Sequence, residues 1–265
     1  MRTGSLSKAK RRMDERDGIC RLCVSGPMRL RNSHILPRWT YLRAHGRGPG
    51  RPDPVWLTRG QIKQRSMQVT QYLLCPDCET RLGNWEAYVG ALVPRRETEG
   101  GILQQITVRL VAPDCAYAEV DHLDVESIVR FGVSVIWRAH VCDRPQCARF
   151  LLPPPLAEEL RLFLLDQDSF PSRAWLTGTV LVDTAGRPRL PTLVSFPAVG
   201  ESADYRFAEF AACVFQFRLT FGEAPEDVVA TCLAHAQRKV LLVLPWARSA
   251  HARGAVNRML NASRP

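Results

Sequence analysis

Three stretches decide the reading of this chain: Cys20-Arg21-Leu22-Cys23, then Leu30-Arg31-Asn32-Ser33-His34-Ile35-Leu36-Pro37-Arg38, then Leu73-Leu74-Cys75-Pro76-Asp77-Cys78-Glu79. A Cys-x-x-Cys turn presents two sulfurs on one side of a tight bend. Two such turns complete the tetrahedral thiolate set that a structural zinc ion prefers. The spacing therefore predicts one zinc held by Cys20, Cys23, Cys75 and Cys78. Fifty-one residues lie between the pairs, so the insertion must be a structured excursion that returns.

Glu79 to Val93 reads as a helix opened by the second pair. Leu82, Trp85, Val89 and Leu92 form its apolar stripe. Glu79 and Glu86 are two turns apart, so their carboxylates share another face. That face fits cation ligation, a solvated surface, or ion pairs to the abundant arginines.

The order of these motifs resembles the zinc-supported HNH endonuclease family. It is closer still to uncharacterised bacterial proteins with Ser-His-Ile-x-Pro ahead of Leu-Leu-Cys-x-x-Cys-Glu. The likeness covers residues 18–94. It implies a treble-clef ββα zinc module; with residues 102–265 read as α+β from their own pattern, the fold class expected is α+β. It implies that His34 is a general base activating water for attack on a phosphodiester, with Mg or Mn as the catalytic cation. In the family the residue before the histidine is usually an acid and helps to bind that cation; here it is Ser33. The residue after the last cysteine often ligates it; here it is Glu79, with Glu86 available as a substitute acid. The Asn that normally orients the base is missing from Ile35 to Leu74, where Gln61, Gln64, Gln68 and Gln71 occur instead. The alternative role for His34 is structural, capping a hairpin or bonding a carbonyl.

Charge points the same way. The net charge is +10, and residues 1–100 carry 19 Lys and Arg against 9 Asp and Glu, leaving the remainder balanced. Between Arg29 and Arg65 there are nine basic residues and one acid, Asp53. Such a patch is an electrostatic footprint for polyanions. Arg31, Arg38, Arg43 and Arg47 are the expected nucleic-acid contacts, with DNA ahead of RNA. The expectation is an HNH-type nuclease, of use in phage defence or a mobile element. The alternative is a catalytically inactive zinc-dependent nucleic-acid-binding or adaptor protein.

Nine cysteines in a chain of this size fit a reducing compartment better than a disulfide framework. No apolar run reaches the length of a membrane helix, and no secretory signal opens the chain. Cytoplasmic residence, no membrane contact, and an open choice between monomer and homodimer follow as expectations. Residues 1–17 read as a basic arm or short helix, 18–94 as the zinc module, and 102–265 as an α+β domain of unassigned role. Within the module, Ala44 to Pro54 reads as a mobile loop and Pro94 as the stop of the last helix, with a linker over Glu97 to Gly101.

In the last part, strands are expected over Ile102–Val111, Ala174–Val182, Leu190–Phe196, Ala211–Phe221 and Val240–Leu244. Helices are expected over Val125–Val141 and Leu156–Leu165. His140, Cys142 and Cys147 offer three ligands at irregular spacing and read as incidental rather than as a second metal site. His45 reads as a basic loop residue, and Cys115, Cys213 and Cys232 as small core residues.

Overall fold

The computed structural model describes residues 15–44, 55–58, 61–64, 68–94, 101–112, 115–182, 194–202 and 204–245. The proposed loop beyond Ala44 up to Pro54, the linker ahead of Gly101 and most of the basic arm, with Arg47 and His45, therefore lie outside the described residues.

The fold is mixed α/β. In the first part, β1 (Glu15–Gly18), β2 (Met28–His34) and β5 (Thr70–Leu74) form an antiparallel sheet in the order β1-β2-β5. Glu15–Asp17, expected to end the arm, are thus in a strand paired with β2. Between β2 and β5 come α1 (Arg38–Ala44) and a hairpin of β3 (Val55–Thr58) and β4 (Gln61–Gln64). The helix α2 (Pro76–Leu92) follows β5 directly and ends just ahead of Pro94.

A register shift between Arg31 and Asn32 interrupts the pairing of β2 with β5. Side chains of a regular strand alternate, so Leu30 and Ser33, three apart, would face opposite ways. The shift resets the alternation, and both are buried. His34, one residue on, is only half-buried.

The second part is a seven-stranded sheet in the order β6-β7-β12-β8-β11-β10-β9, formed by β6 (Thr107–Ala112), β7 (Cys115–Glu119), β8 (Ala174–Val182), β9 (Val194–Glu201), β10 (Tyr205–Ala212), β11 (Phe215–Gly222) and β12 (Val240–Pro245). Only the β12–β8 pairing is parallel. The helices are α3 (Val125–His140), α4 (Pro154–Leu164) and the short α5 (Glu226–Ala230).

Two expectations are corrected. Ile102 sits buried in a 3-10 turn over Gly101–Gln104, and the strand begins only at Thr107. The run Ala211–Phe221 is not one strand: it folds back at Cys213-Val214, with Cys213 at φ 63°. That turn is buried and carries no Gly, Asn or Asp, so no turn-forming residue marks it.

α3 holds the two parts together. Asp124 caps it, its carboxylate accepting from the Ser127 N–H at 2.9 Å. Every residue from Ile128 to Ala139 is buried, as a helix covered on all sides requires. On one side, Gly132 lets it approach the sheet: a methyl there would stand 3.0 Å from Leu176 Cδ2 and Phe217 Cδ1. On the other, Phe131 stacks against Trp39 of α1, ring centroids 6.1 Å apart. One hydrophobic core runs without a break from the cysteine-bearing part into the sheet.

Candidate functional site

The cysteines arrive from two directions. After β1 the chain turns at Cys20–Ser25, closed by Val24 N–H on the Cys20 carbonyl at 2.9 Å and Cys20 N–H on the Ser25 carbonyl at 3.1 Å. Arg21 N–H bonds the Leu73 carbonyl at 2.9 Å, which seats this turn against the end of β5. There Cys75 caps α2, its sulfur accepting from Cys78 N–H at 3.5 Å, and Pro76 occupies the first turn where a missing N–H costs nothing. Cys75 N–H in turn donates to the Cys20 sulfur at 3.3 Å.

The sulfurs of Cys20, Cys23, Cys75 and Cys78 all lie within 4.8 Å of one another. Cys23 and Cys75 are 3.9 Å apart. A tetrahedral zinc with bonds of about 2.3 Å to sulfur needs edges of about 3.8 Å, so four sulfurs within 4.8 Å are compact enough to close on such an ion. Three of the four are buried, and Cys23 is half-buried. The Cys78 thiol hydrogen-bonds Cys20 and lowers that thiol to about 4; the same contact pushes Cys78 up. Burial raises Cys75.

The other predicted residues are distributed around this cluster. Ser33 Oγ donates to Glu79 Oε2 at 2.5 Å, joining β2 to the first turn of α2. His34 Nε2 lies 2.6 Å from Gln68 Oε1, and its ring stands 6.2 Å from that of Tyr41. With the amide oxygen as acceptor, Nε2 carries the proton and Nδ1 keeps its lone pair. Glu86 is instead ion-paired with Arg138 of α3, which is fully buried. His34, Glu79 and Glu86 are not gathered into one ligand set. Among the described residues, the four cysteines are the one group of three or more His, Cys, Asp or Glu side chains placed to share an ion.

Of the arginines, Arg31 and Arg38 are exposed, on β2 and at the start of α1. Arg43 instead closes the C-terminus of α2, donating to the Gly90 and Val93 carbonyls at 2.7 and 2.6 Å and lying over the Trp39 ring.

Sequence reasoning named Gln68 only as one of four glutamines, because strand register, which spacing does not encode, selects it. Arg138 and Arg161 were missed. Arg138 donates to the His34 carbonyl at 2.7 Å, and Arg161 of α4 donates to the Leu22 carbonyl inside the first cysteine turn at 2.7 Å. A basic residue inside an apolar stretch, as in Val135-Ile136-Trp137-Arg138-Ala139, was the available signal for the first.

No helix among the described residues is long and apolar enough to cross a membrane. No family model, no curated protein and no solved structure matches this chain.

Proposed function

We propose that this protein is a zinc-stabilised, metal-dependent nuclease of HNH type that hydrolyses phosphodiesters of nucleic acid in the cytoplasm, with DNA its first substrate. The observation that carries the reading is the contact between His34 and Gln68 at 2.6 Å. A side-chain amide fixes the imidazole and its tautomer, which is the part the resemblance gives to the missing Asn. Nδ1 of His34 then takes the proton from an attacking water. The zinc module is read as a treble clef whose four thiolates hold the strand and helix that carry these groups.

A divalent cation, Mg or Mn, would stabilise charge on the phosphoryl and leaving oxygens. Glu79 is the carboxylate left for it, and Ser33 Oγ sets the direction of that carboxylate from 2.5 Å. Arg31 and Arg38, exposed on either side of His34, supply charge for the phosphate backbone.

A second reading is a nucleic-acid-binding zinc module without catalysis. Its support is the engagement of Glu86 with Arg138, which leaves one acid where the expectation had two. Purified zinc-loaded protein incubated with plasmid DNA and with RNA in Mn²⁺ separates the two. Cleavage that is lost in His34→Ala and strongly reduced in Gln68→Ala, both retaining zinc, supports the nuclease. Tight, salt-sensitive binding with no cleavage establishes the second reading.

A further inference from the structure

The proposed site draws its residues from the first part of the chain, yet a segment of the second part lies against it. β5 is the last strand of its sheet, and Thr70 at its start pairs with His34. The loop that follows α3 runs along that free edge. Asp143 N–H donates to Gln71 Oε1 at 2.9 Å, and Gln71 Nε2 donates to Asp143 Oδ2 at 2.9 Å. Arg144 Nε donates to the Thr70 carbonyl at 2.8 Å. The loop is closed on itself as well: Arg144 N–H bonds the Cys142 sulfur at 3.4 Å, and the Arg144 carbonyl accepts Cys147 N–H at 2.8 Å.

His34 and Thr70, opposite each other, are thus both held by arginines of one segment. Arg138 takes the His34 carbonyl at 2.7 Å from within the core, and Arg144 takes the Thr70 carbonyl from outside. The two differ in what is left over. Arg138 is fully buried, and its other fork nitrogen pairs with Glu86. Arg144 is exposed, and among the described residues its two fork nitrogens take no hydrogen bond and no ion pair. The neighbouring Asp143 carboxylate is already engaged by Gln71 and, at 3.4 Å, by Arg21. A guanidinium tied down through Nε and open at both Nη atoms presents a fixed planar fork, the shape that matches a phosphate.

We propose that Arg144 grips a backbone phosphate of the bound nucleic acid, beside the phosphodiester that faces His34, so that the second part of the chain completes the substrate site. This rests on the proposed nucleic-acid substrate but does not require cleavage. Opposed residues of antiparallel strands stand only about 5 Å apart, so a nucleic-acid strand crossing the His34–Thr70 pair meets the Arg144 fork next.

Arg144→Gln is the deciding variant. Gln Nε2 stands where Arg Nε stood, so the bond to the Thr70 carbonyl is kept and only the charged fork is lost. Binding of a labelled DNA duplex to the full zinc-loaded protein is measured without Mn²⁺, over about 50 to 200 mM salt. Affinity should fall about five- to tenfold, and the slope of log K against log salt should shrink by about 0.9, the loss of one phosphate contact. Arg144→Lys, which restores the charge, should recover the slope. Arg144→Gln with parental affinity and slope overturns the proposal, as does a parent protein that binds no nucleic acid. Arginine-directed labelling of the unmodified protein, read by peptide mapping, decides the matter even if no variant folds. Bound DNA should shield Arg144 and leave Arg238, exposed elsewhere in the second part, labelled as before. Equal labelling of Arg144 with and without DNA is the contrary result. Cleavage in Mn²⁺ is scored separately. DNA that binds with an Arg144-dependent slope but is not cut removes the nuclease reading and leaves this one standing; cutting with binding indifferent to Arg144→Gln does the reverse.

Discussion

Arg138 bonds the backbone carbonyl of His34 at 2.7 Å across 104 residues of sequence, while its other fork nitrogen pairs with Glu86. A side chain from the second part therefore fixes the strand end that carries the candidate base. It does so from full burial, where a guanidinium is costly unless its donors are used.

Removing one side of that arrangement leaves the other uncompensated. Arg138→Met should destabilise the fold by about 3–5 kcal/mol, the range for breaking a buried ion pair. Glu86→Gln keeps a hydrogen-bonding partner and should cost less. A double-mutant cycle by urea unfolding should give a coupling of about 1–3 kcal/mol. Additive effects would mean that the two groups do not act as a unit.

Metal removal should reach beyond the first part of the chain. The Cys20–Ser25 turn bonds Arg161 of α4 through the Leu22 carbonyl, so its collapse would loosen α4 as well. Chelation, or Cys75→Ser, should lower the unfolding temperature and raise amide exchange over residues 154–164 together with residues 18–25. The thiolates must be deprotonated to hold zinc, so affinity falls as pH falls. Unchanged exchange in α4 after zinc loss would contradict the coupling.

The cysteine cluster was legible because its chemistry is local: each pair is a tight turn, and the spacing alone brings two sulfurs together. The helices over Val125–His140 and Pro154–Leu164 were legible from their period. What could not be read depends on long-range register. The shift between Arg31 and Asn32 turns Ser33 toward Glu79, and the pairing of His34 with Thr70 sets Gln68 beside the imidazole. The fate of Glu86 was open for the same reason. Its helix face was plain from sequence, but the arginine opposite it comes from an element 52 positions further on. The β10–β11 hairpin escaped notice because burial, rather than a turn-forming residue, stabilises its bend.

Close approach of α3 to the sheet gives a packing prediction. Replacing Gly132 with Ala adds a methyl 3.0 Å from Leu176 Cδ2 and Phe217 Cδ1. Helix propensity alone favours Ala over Gly by about 1 kcal/mol. Phe217 is locked among Phe131, Phe210 and Phe215, so it yields little. Gly132→Val should therefore destabilise by about 1–3 kcal/mol, with Gly132→Ala near neutral. Denaturant midpoints at constant m-value measure both. A stabilised Val variant would show that the helix can shift away from the sheet.

His140 gives the pH dependence a sign. Burial lowers its pKa below that of a free imidazole, and Nδ1 accepts the Leu152 N–H, a bond that protonation would break. The unfolded chain, with an ordinary imidazole near 6.5, takes up a proton more readily than the folded one as pH falls. The stability from keeping His140 neutral is thus present above about pH 6.5 and is lost progressively below it. His140→Asn offers an amide oxygen to the same N–H and cannot titrate. It should match the parent protein to within about 1 kcal/mol at pH 7.5 and show a shallower loss of stability between pH 6.5 and 5. Unfolding must be compared at equal zinc content, because zinc release has the same sign. Identical slopes for the two proteins would rule out His140 as a contributor.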